Sequence, residues 1–383
     1  MKIPFGKPLI DSNEINVVKK VLQGNILVHG PKTEEFEKAF SKYTNAKYSI
    51  SLSSCTAGLH LGCMALGLKK GDEVIVSSQT HVASAHAIEI TGAKPVFIDS
   101  NLKDGNINVD LIEKQINSKT KAILIVHYLG IPVDLSKILK IKRKYKLFLI
   151  EDCALALGSK YKSKHVGLYG DFGVFSFYPV KHITTIEGGM LITNNLKINK
   201  KILKLKSFGY SKTFNKRKVP GIYDVDHLGI NYRMNEVSAA ISIEQLKKFP
   251  RFIELRKKNF NEYVSILKQH KSYYSIIENV DPEKICNYYC LNLVLSKKYI
   301  KFRSFILKEF KKNNIGFSIY YPGPVPMFKY YKNKYKSKKK DFLISSILSE
   351  GSISLPIAPH INLKQVKYIC TFLLRVLKKI SND

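Results

Sequence analysis

The stretch DFGVFSFYPVKHITTIEGGMLIT, residues 171–193, holds two short apolar runs, Gly173–Phe177 and Met190–Thr193, on either side of a polar turn. Runs of this length, rich in β-branched and aromatic residues and flanked by Gly or Pro, predict strands rather than helices. Between them, Lys181 follows nine residues without a charge, Phe172–Val180. A lysine in such surroundings is costly as an ammonium, and its pKa is pushed down. A neutral amine is the form that condenses with a carbonyl. Ser176 stands five residues earlier, where a strand would end with its hydroxyl open to a phosphate. Gly188 and Gly189 permit a close backbone approach. Taken alone, Lys181 reads more simply as one of many surface lysines, in a loop between two strands.

Upstream, the same alternation repeats. Apolar runs at Tyr48–Leu52, Val74–Val76, Pro95–Ile98, Ala122–Val126 and Leu147–Ile150 are separated by helical stretches. Strands alternating with helices predict a largely parallel sheet covered on both faces. Ligands of such sheets sit at the carboxyl ends of the strands. Three further stretches fall there. In LFLIEDCALALG, residues 147–158, a strand ends at Glu151 and Asp152. A carboxylate there pairs with a cationic ring nitrogen, or it merely caps the following helix. In SLSSCTAGLHLGCMAL, residues 51–66, hydroxyls cluster before an apolar helix that starts near Thr56. Its unpaired N–H groups and dipole suit a phosphate, although capping by Ser or Thr is an equally ordinary role. Finally, Gln79–Ala83 places His81 just after a strand, where it lies flat on an aromatic ring or is only a polar loop residue. Together the four stretches supply a phosphate cradle, a ring-nitrogen carboxylate, a stacking side chain and an amine.

Downstream, the pattern turns helical over Met234–Leu246 and again over Arg251–Gln269. A strand Asn287–Val294, a helix Phe302–Asn313, a segment Gly316–Tyr321 and a closing helix Leu363–Lys379 follow. Pro250 marks an expected boundary between a large domain, residues 1–250 with an N-terminal arm, and a small domain, residues 251–383.

With these residues in view, the chain resembles the DegT/DnrJ/EryC1/StrS family of sugar aminotransferases. The strings that carry the resemblance are GPKTEEFEKAF (30–40), SSCTAGLHL (53–61), IEDCALALGS (150–159), FSFYPVKHITTIEGG (175–189) and GINYRMNEVSAA (229–240). The resemblance implies the α/β fold of aspartate aminotransferase, fold type I: a mostly parallel large-domain sheet plus a smaller C-terminal α/β domain. It implies pyridoxal 5'-phosphate as cofactor, with Lys181 as the Schiff-base lysine. Asp152 then partners the pyridine nitrogen, and Thr56, Ala57 and Ser176 hold the phosphate. His81 stacks on the ring, and Asn231 reaches the phosphate of a neighbouring subunit in a homodimer. Tyr320, Tyr321 and Pro322 fall near the acceptor. The implied reaction moves an amino group, from glutamate or glutamine, to a keto group of a nucleotide-linked sugar for polysaccharide or glycan biosynthesis. Three residues depart from the family pattern: Cys55 and Ile186 stand in place of glycines, and Leu155 stands in place of a polar partner for the cofactor's phenolic oxygen. A dehydratase of the same family is the nearest competing activity, but there histidine replaces the lysine, and Lys181 is intact.

Composition bounds the remaining classes. At 383 residues, 45% hydrophobic and 24% charged, the chain has the make-up of a globular protein with room for two cores. It has no apolar run of about 18 residues, and Lys2, Pro4, Gly6, Lys7 and Pro8 interrupt any signal-peptide core. A cytoplasmic protein is therefore expected. The six cysteines are scattered and lack zinc-ligand spacing, which predicts reduced thiols and no metal. A net charge of +33 admits a nucleic-acid partner or regulator. The lysine-rich stretches at 140–146 and 336–340 lack the aromatic spacing of a base-stacking platform, so solvated lysine faces are the expected reading.

Overall fold

The computed structural model describes residues 2–212, 219 and 221–382. The strands of the large sheet are β1 (Tyr48–Leu52), β2 (Glu73–Ser77), β3 (Lys94–Ile98), β4 (Thr120–Val126) and β5 (Phe148–Asp152). After the short ribbon β6 (Lys160–Tyr161) and β7 (Lys164–His165), β8 (Phe172–Ser176) and β9 (Gly189–Thr193) complete it. Their order is β1-β9-β8-β5-β4-β2-β3, with β9 alone antiparallel to its neighbours. The expected strands are all present, with ends shifted by one or two residues. Helices α1 (Ser12–Leu22), α2 (Pro31–Thr44), α3 (Cys55–Ala65), α4 (Val82–Glu89), α5 (Leu135–Tyr145) and α6 (Leu196–Leu205) flank the sheet.

Both sheet faces are buried, as a parallel sheet requires. Residues of β5 alternate between them: Leu149 joins one core with Ile123 and Phe175, and Ile150 joins the other with Leu124 and Val174. This period of two sends Glu151 and Asp152 to opposite faces.

The largest departure from expectation is α7, a single helix from Glu236 to Leu267 with Pro250 inside it. A proline there removes one helical hydrogen bond and crowds the preceding turn. Burial on both sides of the break overrides that cost. Phe249 and Phe252 are buried beside Pro250; α1 and α2 pack on the helix, and so does the C-terminal helix Leu363–Asn382. Beyond α7 a three-stranded antiparallel sheet forms from β10 (Tyr274–Ile277), β12 (Leu291–Leu295) and β13 (Ser352–Leu355), while β11 (Lys284–Ile285) extends the small ribbon. The strand expected from Asn287 starts only at Leu291, because Tyr288 is left-handed at φ 54°. Gly316–Tyr321 makes only a bridge, Ser318 to Ser354. The C-terminal core also takes in Ile3, so the N-terminal arm crosses to it. All six cysteines are free thiols. Among the described residues, no helix is long and apolar enough to cross a membrane.

Candidate active site

The carboxyl ends of β5 and β8 bring Asp152 and Ser176 to one edge of the sheet, and the turn after β8 carries Lys181. Lys181 is half-buried and closes the turn by donating its backbone N–H to Tyr178 O at 2.8 Å. Burial lowers its pKa; Cys55 and Asp152 partly oppose the shift. Lys181 thus senses the charge of Asp152, yet the two make no direct ion pair among the described residues. Its Nζ stands 5.6 Å from the centroid of the Tyr289 ring.

Asp152 is buried with few partners. Oδ2 accepts from Ser84 Oγ at 2.7 Å and Oδ1 from Ala154 N at 3.0 Å. The second contact closes a turn and caps no helix: among the described residues β5 runs through turns into β6, so the helix expected after Asp152 does not form.

Opposite stands the start of α3. Ser54 caps it, its Oγ accepting from Ala57 N at 3.0 Å. The Ala57 amide is therefore already engaged, while Thr56 beside it is half-buried. A Cβ on Gly189 would lie 2.4 Å from Ser54 C and 2.5 Å from Cys55 N. Only glycine lets β9 press so closely against this turn, which accounts for the glycine pair after Lys181. Ser176 is half-buried, and its Oγ sits 3.5 Å from Tyr178 N, at the limit of a hydrogen bond.

His81 is the N-cap of α4, its Nδ1 accepting from Ala83 N at 3.2 Å. That contact leaves Nδ1 unprotonated. Burial of part of the ring, then the charge of Lys181, lowers its pKa. Its ring lies 6.0 Å from that of Tyr321. Tyr320 and Tyr321 belong to an aromatic wall that also holds Tyr128 and Tyr289. Tyr289 and Tyr320 share a 2.7 Å hydroxyl contact, the Tyr128 hydroxyl donates to Tyr320 O, and Gln79 Nε2 reaches the same carbonyl at 3.1 Å. Ser349 Oγ donates to Gln79 Oε1 at 3.0 Å, tying the large sheet to the C-terminal segment. Leu155 packs into this wall and brings no polar group to it.

Tyr289, Ser84 and Gln79 were not legible as site residues. Each reaches the site across a long sequence separation, and no local spacing signals them. Glu151 is the reverse case, a carboxylate that looked chemical and is structural. It accepts from Gly167 N at 2.7 Å, Tyr169 N at 2.7 Å, Gly170 N at 2.5 Å and His127 Nε2 at 3.0 Å. His127, Glu151 and Cys153 bring ligand atoms within 4.8 Å of one another. The Glu151 oxygens are already taken by these donors, and His127 Nδ1 accepts from Val133 N, so the cluster is a structural knot.

Asn231 is exposed and bridges to Ser207. No hydrogen bond or ring contact joins it to Lys181, Asp152 or Ser176 among the described residues.

The donor set fits pyridoxal phosphate. An amine of lowered pKa and a buried, sparsely bonded carboxylate sense each other without pairing. A helix start, a serine and a half-exposed imidazole surround them.

Comparison with known proteins agrees. The family model described as the DegT/DnrJ/EryC1/StrS aminotransferase family matches residues 8–374. The chain is 34% identical to the GDP-perosamine synthase of Escherichia coli O157:H7 over 376 residues, 96% of each chain. It is 33% identical to the UDP-4-amino-4,6-dideoxy-N-acetyl-beta-L-altrosamine transaminase of Campylobacter jejuni over 384 residues, 99% of this chain and 98% of that one. Among solved structures, the PMP-form of the putative sugar aminotransferase Spr1654 from Streptococcus pneumoniae superposes with a TM-score of 0.93 at 28% identity, covering 99% and 100% of the two chains. Helicobacter pylori PseC, an aminotransferase involved in the biosynthesis of pseudoaminic acid, gives 0.92 at 27%, again over 99% and 100%. The fold, the lysine-centred turn and these matches lead to one conclusion: the chain belongs to the DegT/DnrJ/EryC1/StrS family of pyridoxal-phosphate-dependent aminotransferases.

Proposed function

We propose that this aminotransferase transfers an amino group from an amino acid, glutamate first among candidates, to a keto group of a nucleotide-linked sugar. The observation that carries the reading is the pair Lys181 and Asp152, electrostatically coupled but unpaired at the sheet edge. Relatives named for GDP- and UDP-sugars support the substrate class.

When bound, pyridoxal phosphate supplies the carbonyl that receives the amino group and a ring that withdraws electrons. Lys181 would hold the cofactor and, as a neutral amine, would move a proton at the substrate carbon. Asp152, held by Ser84, keeps a proton on the pyridine nitrogen. Thr56, Ala57 and Ser176, around the start of α3, take the phosphate. His81 covers one ring face. We propose too that the chain works as two units, residues 1–250 and 251–383, connected through α7.

The test is direct. Purified protein with nitrogen-labelled glutamate should pass the label to a member of a panel of keto-sugar nucleotides, seen by mass spectrometry. If no panel member takes the label while the protein still exchanges it among amino acids, the acceptor class is wrong.

The homodimer with shared sites belongs to the same proposal, with Asn231 serving the partner's phosphate. Lys181→Ala and Asn231→Asp should each be nearly inactive as homodimers. Refolded together, random pairing makes about half the dimers mixed, each with one intact site of two, so about a quarter of the activity returns. A mixture that stays inactive while mixed dimers demonstrably form removes Asn231 from the shared site.

A further inference from the structure

The small antiparallel sheet keeps one edge open. Its order is β10-β12-β13, so β10 has a strand partner on one side only. The opposite edge is closed, where Ser318 and Ser354 exchange backbone bonds at 3.1 and 2.9 Å. The register sets Tyr274 opposite Leu295 and Ile276 opposite Leu293, and Ser296 N donates to Tyr273 O at 2.9 Å. Antiparallel bonds fall on alternate residues. Tyr273, Ser275 and Ile277 therefore turn their backbone groups to β12, and Tyr274 and Ile276 turn theirs outward. Among the described residues, no backbone group outside the sheet takes up the outward pair.

A cavity of about 920 Å³ lies along this edge. Its floor is apolar: Leu267 at the end of α7, Tyr274 and Leu295 are buried, Ile276 is half-buried, and the exposed Ile347 faces it from the C-terminal segment. Its rim carries the exposed lysines Lys268, Lys271, Lys297 and Lys301. Two acids also line it, and both are engaged: Glu278 pairs with Lys268 at 3.7 Å, and Glu350 pairs with Lys339. Lys271, Lys297 and Lys301 have no carboxylate partner among the described residues. Residues 251–383 are about a third of the chain yet carry about half of its net charge of +33. None of Lys181, Asp152, Ser176 and His81 lines this cavity.

We propose that the β10 edge and its groove dock an acidic, extended segment of a partner protein, which joins the small sheet as a fourth strand. An open strand edge binds a peptide through main-chain bonds, and flanking pockets and charges select its side chains. Here Tyr274 and Ile276 supply the main-chain groups, the floor takes apolar side chains, and the three unpaired lysines take acidic ones. A second copy of this chain fits poorly, because a lysine-rimmed edge repels a basic strand. A nucleic acid would meet the lysines but leave the edge amides and the apolar floor unused.

The test titrates the full-length protein with a fluorescent, end-blocked peptide of about seven residues, alternating glutamate and valine, and reads anisotropy. The peptide should bind, and bind less well as salt rises. The same peptide with lysine for glutamate should not bind. Methylating its backbone nitrogens on alternate residues should weaken it by at least about 10-fold, because the strand bonds are lost. Lys271→Glu combined with Lys301→Glu, both exposed and so safe for folding, should also cost at least about 10-fold. Ile276→Pro removes an outward N–H and leaves the bonds to β12 in place, so binding should weaken by about 5-fold. Amino transfer should stay at the native rate in these variants. A glutamate peptide that fails to bind the native protein overturns the proposal. So does binding that survives N-methylation, a readout on the native protein that holds even where the proline variant fails to fold. A single-stranded oligothymidylate that displaces the peptide with equal affinity would make the surface a nucleic-acid site instead. Self-association that Ile276→Pro abolishes would make it an interface between copies, and either result ends the acidic-strand reading.

Discussion

The two faces of the sheet at the end of β5 receive neighbouring carboxylates and treat them in opposite ways. On one face, Glu151 is fully enclosed and accepts from three backbone amides and a histidine, pinning the loop 167–170. On the other, Asp152 keeps two contacts and faces the amine-bearing turn. A saturated carboxylate stabilises and is chemically idle, because every lone pair is spent. A sparsely bonded one retains capacity for a ligand. The contrast teaches that burial and charge do not by themselves mark a site; unspent hydrogen-bonding capacity does.

The largest effect expected from the open face is at Lys181. Lys181→Ala should lower amino transfer by at least about 10³-fold, as removal of a covalent nucleophile does. Borohydride reduction of the native protein should leave the cofactor attached to Lys181, as peptide mass mapping would reveal. Attachment at another lysine would break the assignment.

Next is Asp152→Asn, which keeps the shape and removes the charge. The half-reaction with glutamate should slow by about 100-fold, while the unfolding midpoint stays near that of the native protein. A variant that turns over normally would reduce Asp152 to the turn-closing role its Ala154 contact already shows.

On the closed face the opposite signature is expected. Glu151→Gln sets an amide N–H₂ against backbone N–H donors, so stability should fall by about 2–4 kcal/mol in denaturant titrations. Burial pushes the Glu151 pKa up, but the His127 hydrogen bond and charge and the amides of Gly167 and Gly170 outweigh it, leaving the pKa below the ordinary value. A depressed folded pKa means that its contribution is complete above the unfolded carboxylate range. It is lost as pH falls through the folded pKa. The variant should therefore lose stability at neutral pH and show a flatter acid limb than the native protein. Equal pH dependence in both would show that Glu151 does not act as a buried anion.

The smallest effect sharpens the contrast from the open side. Ser84→Ala removes one of the two contacts to Asp152 and should slow the half-reaction by about 5-fold, worth about 1 kcal/mol. A loss as large as that of Asp152→Asn would mean that Ser84 holds the carboxylate in its only productive position.

How much of this could be read from the residues alone follows from the range of the forces involved. Strand runs such as Tyr48–Leu52 and Gly189–Thr193 are legible because a buried parallel strand must be apolar throughout, a local property. Lys181, Asp152 and Ser176 are legible because strand ends, turns and their flanking glycines occupy adjacent positions in the chain. The sequence by itself therefore determined the large sheet and which turns meet at its edge. Only the tertiary structure decided the rest. Pro250 stays inside α7 because packing on both halves outweighs a lost hydrogen bond. Glu151 and Asp152 part company because one oxygen pair meets a loop that returns 16 residues later and the other meets Ser84, 68 residues earlier. Tyr289 joins the amine across a separation that no local pattern encodes. Local propensity acts over a few residues, whereas the hydrogen-bond partners of a buried charge are set by whichever segments the fold brings together.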